Sequence, residues 1–451
     1  MIMVAIGTMI TGLLLYPATP VSATPQYPST AVREQNTDGG AIKNADTKEP
    51  QTNRIENSVV KVFATLRNPD LTKPWNKQSG VEATGSGLVI EGRRILTNAH
   101  VVLYAGQIQI EGNQGGDKIS ATVEAIAPGI DLAVLKLNDE SFFDSHAPLP
   151  RTSAIPQGKD PVMVYGFPTG GAGISITKGI VSRIDFVAYN YPVSGLRVQI
   201  DAAINSGNSG GPALVGDKVI GLAFSVLSNT QNIGYIIPCE EIELFLKDVA
   251  DGHYDGKPAI FDEFQTLENP ALRSFLKLNK SVEGLVVHEP FQASSAYPLK
   301  KWDVVTKIGT IPINDQGNVT IGDNLKIRFH YLVQKIATNG KVPLTIVRNG
   351  QEMSIPLPVS PLRPKLIPFL LGNYPSYFIC GPILFSVATE DLISVFSSGN
   401  NGMYVATMLS MTGNPLYSRR GDQPAFEGEG LVIVPSPFFS HELAKNYGSP
   451  T

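Results

Sequence analysis

The stretch AAINSGNSGGPAL at residues 202–214 sets Ser209 among Gly207, Gly210 and Gly211 and ends them with Pro212. Glycine takes positive φ and lets another backbone approach closely, so this cluster fits a strained, solvent-facing turn around one hydroxyl. A serine hydroxyl becomes a useful nucleophile when a base takes its proton and a carboxylate orients that base. Upstream, ILTNAHVV sets His100 directly after an apolar strand, and GIDLAVLKL sets Asp131 at the mouth of the next one. Each alone has a plain structural reading: a glycine-rich hairpin, a strand-end histidine, a turn aspartate. In the order His, Asp, Ser they point to acyl transfer through an activated serine. Gly207, Ser209 and Gly211 also satisfy G-x-S-x-G, the elbow that needs a helix after the serine and its Asp and His downstream. The chain beyond Pro212 reads instead ALVGDKVIGLAF, a hairpin about Gly216-Asp217, while His253, His288, His330 and His441 lie in unrelated settings.

These residues need a scaffold. From Ile55 to about Ser228 the chain alternates short β-branched runs with glycine or proline turns: SVVKVFATL, SGLVI, QIQIEG, LAVLKL, VMVYGF, LRVQID, KVIGLAF. Many short strands at regular spacing predict an all-β barrel or sandwich. The first clear helix is PCEEIELFLKDVADG, with Pro238 in its first turn, Glu240 and Glu241 at the positive end of the dipole and Gly252 as its stop.

The composition is that of a globular chain, 42% hydrophobic and 17% charged over 451 residues, enough for two to four domains. A net charge of −4 without any basic block argues against nucleic acid as a partner. The two cysteines, Cys239 and Cys380, indicate neither a disulfide framework nor a zinc site, and no metal or cofactor is called for. Residues 1–23 read as a secretory signal cleaved after Ala23, or as an uncleaved anchor since no basic residue precedes the apolar run; residues 24–54 read as a flexible linker.

TNAHVV, DLAVLKL and NSGNSGGPAL resemble the trypsin-like serine proteases of the HtrA/Deg family, and GSGLVIEGRRILTNAH, TKGIVSRI and NIGYIIP extend the likeness toward the plant-type Deg proteases. The resemblance covers the chain from about residue 55 onward. It implies an all-β, trypsin-like double β-barrel protease domain over 55–252, with α+β PDZ domains after it. His100 would be the general base, Asp131 its orienting partner and Ser209 the nucleophile. The oxyanion hole would lie at Gly207, Asn208 and Ser209, with the N–H groups of Gly207 and Ser209 as donors. The specificity pocket would be near Ala203, Ile204, Ala223, Phe224 and Ser225. None of these is acidic, so a small to medium apolar residue is expected on the acyl side of the cleaved bond, because a buried Lys or Arg would lack a counter-charge.

Residues 253–360 resemble a PDZ domain: a short helix NPALRSFLKL, a strand EGLVVHEP, a long helix DNLKIRFHYLVQKIATNG with Asp323 as cap and Gly340 as stop, and a hairpin about Asn349-Gly350. Two departures stand out. GKPAIFDEF lacks the usual glycine of a carboxylate-binding loop, and Trp302 stands where related chains carry glycine. Residues 361–451 resemble the start of a second PDZ domain, partial or atypical, whose apolar stretches suggest an oligomer contact.

The expected activity is ATP-independent endoproteolysis of unfolded or damaged proteins. The alternative is a proteolytically silent holdase or scaffold on the same fold. Expected partners are unfolded polypeptides, peptide C-termini or internal segments at the PDZ domain, and further copies of the chain, as trimers or multiples of trimers. The expected location is the periplasm or another exported compartment.

Overall fold

The computed structural model describes residues 51–435 apart from 114, 170–172, 190, 227–233, 323, 382 and 398–401. The expected signal segment and most of the expected linker lie outside these residues. The end of that linker is not loose: Gln51–Asn57 form helix α1, because Ile55 packs on the core beneath it and Ser58 Oγ donates to Arg54 O at 3.0 Å.

Beyond α1 the chain builds two closed antiparallel barrels. The first comprises β1 Val59–Leu66, β2 Val81–Ile90, β3 Arg94–Thr97, β4 Ala105–Glu111, β5 Ile119–Ala127 and β6 Leu132–Leu137, joined in the order β1-β2-β3-β6-β5-β4. The second comprises β7 Pro161–Gly166, β8 Ser175–Ala188, β9 Ser194–Ile200, β10 Pro212–Val215, β11 Lys218–Val226 and β12 Gly234–Pro238, in the order β10-β11-β12-β9-β8-β7. The hairpin expected about Gly216-Asp217 joins β10 to β11, with Val215 opposite Lys218 and Gly216 at φ 63°.

The near-continuous apolar runs serve two cores at once, since successive side chains of a strand point to opposite faces. In β6, Ala133, Leu135 and Leu137 fill the first barrel, while Leu132 and Val134 face the seam between the barrels. In β11, Ile220 and Ala223 fill the second barrel, while Val219, Leu222 and Phe224 join the seam. Between β3 and β4 lies the four-residue helix α2, Ala99–Val102, and after the second barrel comes α3, Cys239–Asp248, which closes the seam with Ile242 and Phe245.

The next unit contains β13 Glu263–Thr266, α4 Pro270–Phe275, β14 Leu285–Glu289, β15 Val304–Ile308, β16 Ile311–Pro312, β17 Asn318–Ile321, β18 Leu325–Arg328, β19 Lys341–Arg348 and β20 Gln351–Pro358. Its main sheet runs β13-β14-β15-β19-β20, with β16 on β15. The expected long helix is corrected. Residues 325–328 are a strand paired with β17, Phe329–Leu332 form a 3₁₀ turn, and only α5, Val333–Ile336, is α-helical. Ile327 is paired opposite Val319 and both are buried, so this stretch packs as a strand and not as a helix face; Asp323 lies outside the described residues. The β19–β20 turn is as expected, with Asn349 and Gly350 both at positive φ, 51° and 81°. Trp302 adopts φ 74°, in the left-handed region that favours glycine, and its ring meets Phe275 at 5.3 Å.

This unit is fused to the second barrel, for Phe186 and Leu196 share a core with Leu285, Val305 and Tyr331. Residues 361–435 add a three-stranded sheet, Tyr377–Cys380, Ile383–Val387 and Val432–Ile433, over a small core of Ile367, Ala388 and Ile393. They rest on the first barrel through Tyr104 Oη donating to Asn373 O and Tyr374 Oη donating to Arg67 O, both 3.1 Å.

The junction of the second barrel and the unit after it turns on Glu241 of α3, which has no exposed surface. Its Oε1 accepts Leu196 N–H at 2.7 Å and Gln334 Nε2 at 3.2 Å, and Oε2 pairs with Lys257 Nζ at 2.6 Å. Removing one partner of a buried pair strands the other, at about 3–5 kcal/mol. Denaturant titration of Glu241→Ala is expected to show a loss of that size, with Glu241→Gln in between.

Candidate active site

β3 delivers the chain through Asn98 into α2, so His100 sits in the first turn of α2, at the mouth of the seam, with 44% of its side chain exposed. Asp131 ends the 3₁₀ turn Pro128–Ile130 in the left-handed region, φ 58°, uncommon without glycine but tolerated by aspartate. Its surroundings hold it there: Oδ1 accepts the His100 backbone N–H at 2.8 Å, Oδ2 lies 2.7 Å from His100 Nδ1, and Asn98 Nδ2 donates to the Asp131 carbonyl at 3.0 Å. An ionised carboxylate only accepts, so Nδ1 carries the proton and the neutral ring keeps its lone pair on Nε2. Burial pulls the imidazole pKa down, but the Asp131 hydrogen bond and charge outweigh it and leave the pKa raised above 6.5.

Ser209 is half-buried on a loop from the second barrel. Asn208 N–H donates to Asn205 O at 3.0 Å, closing a turn with Gly207 at its third position, φ 98°, where a type II turn requires positive φ. Gly210, φ 86°, slides beneath the first barrel; a methyl group there would lie 2.1 Å from Ser86 O. Ser86 N–H donates to Ser209 O at 2.8 Å and Thr97 Oγ1 to Ser86 O at 2.7 Å, so the serine loop is pinned to the strand that leads into His100. No hydrogen bond joins the Ser209 hydroxyl to His100 among the described residues; such contacts are often long in unliganded sites and tighten with substrate. The N–H groups of Gly207 and Ser209 have no partner among the described residues. Of the three residues expected at the oxyanion hole, Asn208 has no N–H to offer, and its buried side-chain amide is itself unpaired among the described residues.

Residues 85–222 match the trypsin-like peptidase domain family. Among curated proteins, Protease Do-like 4, mitochondrial, of Arabidopsis thaliana is 35% identical over 372 residues, covering 80% of this chain and 72% of that protein. Protease Do-like 2, chloroplastic, of the same plant is 35% identical over 422 residues, 92% of this chain and 66% of that protein. The chain belongs to the Do-like family of trypsin-like serine proteases. It thus spans about two thirds to three quarters of the length of these relatives. The solved HtrA-type protease AlgW with decapeptide shares the fold, at a TM-score of 0.53 and 23% identity over 70% of this chain and 98% of that one.

In this Do-like protease the residues expected at the specificity pocket divide. Ala203 is exposed, but Ile204 and Ala223 pack in the core of the second barrel, 7% and 0% exposed, and Phe224 lies in the seam, 1% exposed, so these three offer little side-chain surface to a substrate. The Phe224 ring lies 5.3 Å from Tyr189 and carries the Arg197 guanidinium at 4.6 Å. The side chain of Ser225 lies outside the described residues. Neither the cavity beside α3 at Phe245 and Tyr254 nor the one at Arg94 and Glu124 is lined by His100, Asp131 or Ser209. Asn98, Thr97 and Ser86 were not singled out from sequence; the signal for Ser86 was a Gly-Ser-Gly inside a strand, which marks close backbone approach.

Because Asp131 is what raises the His100 pKa, an NMR titration of the imidazole is expected to place its midpoint above 6.5 in wild type. In Asp131→Asn burial acts with less opposition and the midpoint moves down.

Proposed function

We propose that this Do-like serine endopeptidase cleaves unfolded polypeptides through an acyl-enzyme, with His100 as general base, Asp131 as its orienting partner and Ser209 as nucleophile. The observation that carries this reading is the His100–Asp131 pair, bonded at 2.7 and 2.8 Å with no partner for Nε2 among the described residues, together with a serine loop anchored to Ser86, which Thr97 of the strand leading into His100 holds. Nε2 takes the Ser209 proton as Oγ attacks the peptide carbonyl. The N–H groups of Gly207 and Ser209 receive the oxyanion, where losing one donor costs about 2.7–4 kcal/mol. His100 then returns the proton to the leaving amine, and water releases the acyl group by the same steps in reverse. No step of this scheme calls for a nucleotide or a metal.

The solved AlgW structures hold a decapeptide in one case and a tripeptide in another, and peptide is the substrate proposed here. A small to medium apolar residue on the acyl side of the scissile bond fits a set of residues, Ala203, Ile204, Ala223, Phe224 and Ser225, that includes no acid to pair with a buried Lys or Arg. We assign residues 253–360 to a PDZ-type unit; β13 ends its sheet and offers the edge to which a peptide strand would add, with Phe264 against Phe329 at 5.5 Å beside it. The exposed Phe378, Met403 and Met411 support contact between copies of the chain. The relatives are named as mitochondrial and chloroplastic, which supports an organellar or exported place of work.

Ser209→Ala is expected to abolish casein degradation by several orders of magnitude, down to the about 10³–10⁴ over water left by the oxyanion hole and positioning, while client binding survives. Wild type no more proteolytic than the alanine variant, with both suppressing aggregation alike, would support the holdase. Wild-type activity should rise with pH along the His100 titration, because only the neutral ring accepts the proton. Mapped casein cuts are expected after Val, Ala, Ile or Leu; a preference for Lys or Arg would refute the pocket chemistry.

A further inference from the structure

β3 pairs with β2 only as far as Leu88, opposite Leu96, before the chain turns off into α2. Ser86, two residues back on β2 and fully buried, therefore has its polar groups available for other partners. Its N–H donates to the Ser209 carbonyl at 2.8 Å, and its carbonyl accepts Thr97 Oγ1 at 2.7 Å. Its hydroxyl accepts the Phe167 N–H at 2.8 Å and donates to the Gly207 carbonyl at 2.7 Å. Four contacts thus converge on one serine of the first barrel, and three of them reach the second.

We infer that Ser86 is the positioning residue of the oxyanion hole, acting through the Gly207 carbonyl. The inference rests on the hole proposed above. The Gly207–Asn208 peptide links the two amides that would meet the oxyanion, so its orientation sets whether they converge. With glycine at 207 that peptide turns at small steric cost, and hydrogen bonds must hold it. Asn208 N–H to Asn205 O holds one end, and the Ser86 hydroxyl holds the other. The hydroxyl has one proton, and because Phe167 N–H already occupies a lone pair, that proton is directed at Gly207 O. Gly166 makes the room, since a methyl group there would come within 3.0 Å of Ser86 Oγ. Ser86 does not touch His100 or Asp131, so it acts on oxyanion stabilisation and not on proton transfer.

The test compares the full chain as wild type, Ser86→Ala and Ser86→Cys on a short chromogenic peptide, with a peptide aldehyde as oxyanion-forming inhibitor and a non-cleavable peptide as ground-state ligand. Ser86→Ala is expected to lower kcat by about 10- to 100-fold, less than the about 10²–10³ for removing an oxyanion donor outright. Aldehyde affinity should weaken in parallel, while KM, non-cleavable peptide affinity and the pH midpoint stay within about threefold and a few tenths of a unit of wild type. Ser86→Cys, close in volume but a weaker donor, should fall between the two. A kcat within twofold of wild type in either folded variant overturns the inference, as does equal weakening of aldehyde and non-cleavable peptide. If Ser86→Ala fails to fold, Ser86→Cys decides alone: a kcat loss of about fivefold or more at the wild-type unfolding midpoint supports the role, and wild-type kcat overturns it. An inert wild type would sink the proposed hole together with this inference, whereas an active wild type matched by both variants sinks this inference alone.

Discussion

The proposed catalytic geometry depends on the edge of β2 that β3 leaves free. Had β3 continued to pair, the Ser86 N–H would have been taken up within the first barrel, and the serine loop would have had no fixed place to dock. Because the chain turns away at Thr97, the Ser209 carbonyl takes that position, and Thr97 itself closes the network from the side that leads to His100. One hydrogen-bond position thus makes two separately closed barrels into one site. The seam core of Leu88, Leu132, Phe167, Leu222, Phe224 and Phe245 keeps the barrels at the distance this contact requires.

Strain and unpaired polarity are concentrated around that seam. Asp131 holds a left-handed backbone, and Asn208 buries an amide without partners among the described residues, a group that costs about 1–3 kcal/mol when unsatisfied. Both adjoin groups proposed to react and both are over-determined by neighbours: Asp131 by three hydrogen bonds, Asn208 by the turn that its own N–H closes. The energy to sustain them comes from apolar burial in the two barrel interiors and the seam, which is why the site can be rigid without being locally relaxed.

The units after the barrels are coupled to both halves of the site. Residues 253–360 share a core with the second barrel and meet α3 through Glu240 and Glu241, with Tyr331 Oη donating to Glu240 Oε2 at 3.1 Å. Residues 361–435 reach the first barrel immediately after α2, where Gly372 packs on Leu103 and Tyr374 on Tyr104. Both units are thus held to the barrels by packed side chains.

The residues proposed as base, orienting partner and nucleophile, His100, Asp131 and Ser209, could be singled out in the sequence because each carries a local signature: a histidine after a strand, an aspartate before one, a serine among glycines. The β10–β11 hairpin was legible for the same reason, since a turn is set by residues a few positions apart, whereas α3 ends at Asp248 and Gly252 closes the 3₁₀ turn after it. Residues 325–336 misled because an apolar run read alone does not distinguish period two from a short helix; pairing with β17 decided it. Phe224 looked like a pocket wall from its place after the serine, but the second barrel turns its ring into the seam. Ser86 lies 121 residues from the Gly207 carbonyl it holds. Local chemistry determines which residues can react, but a contact of that span exists only once two barrels have closed and packed, so the tertiary structure alone decided how the reactive groups are held.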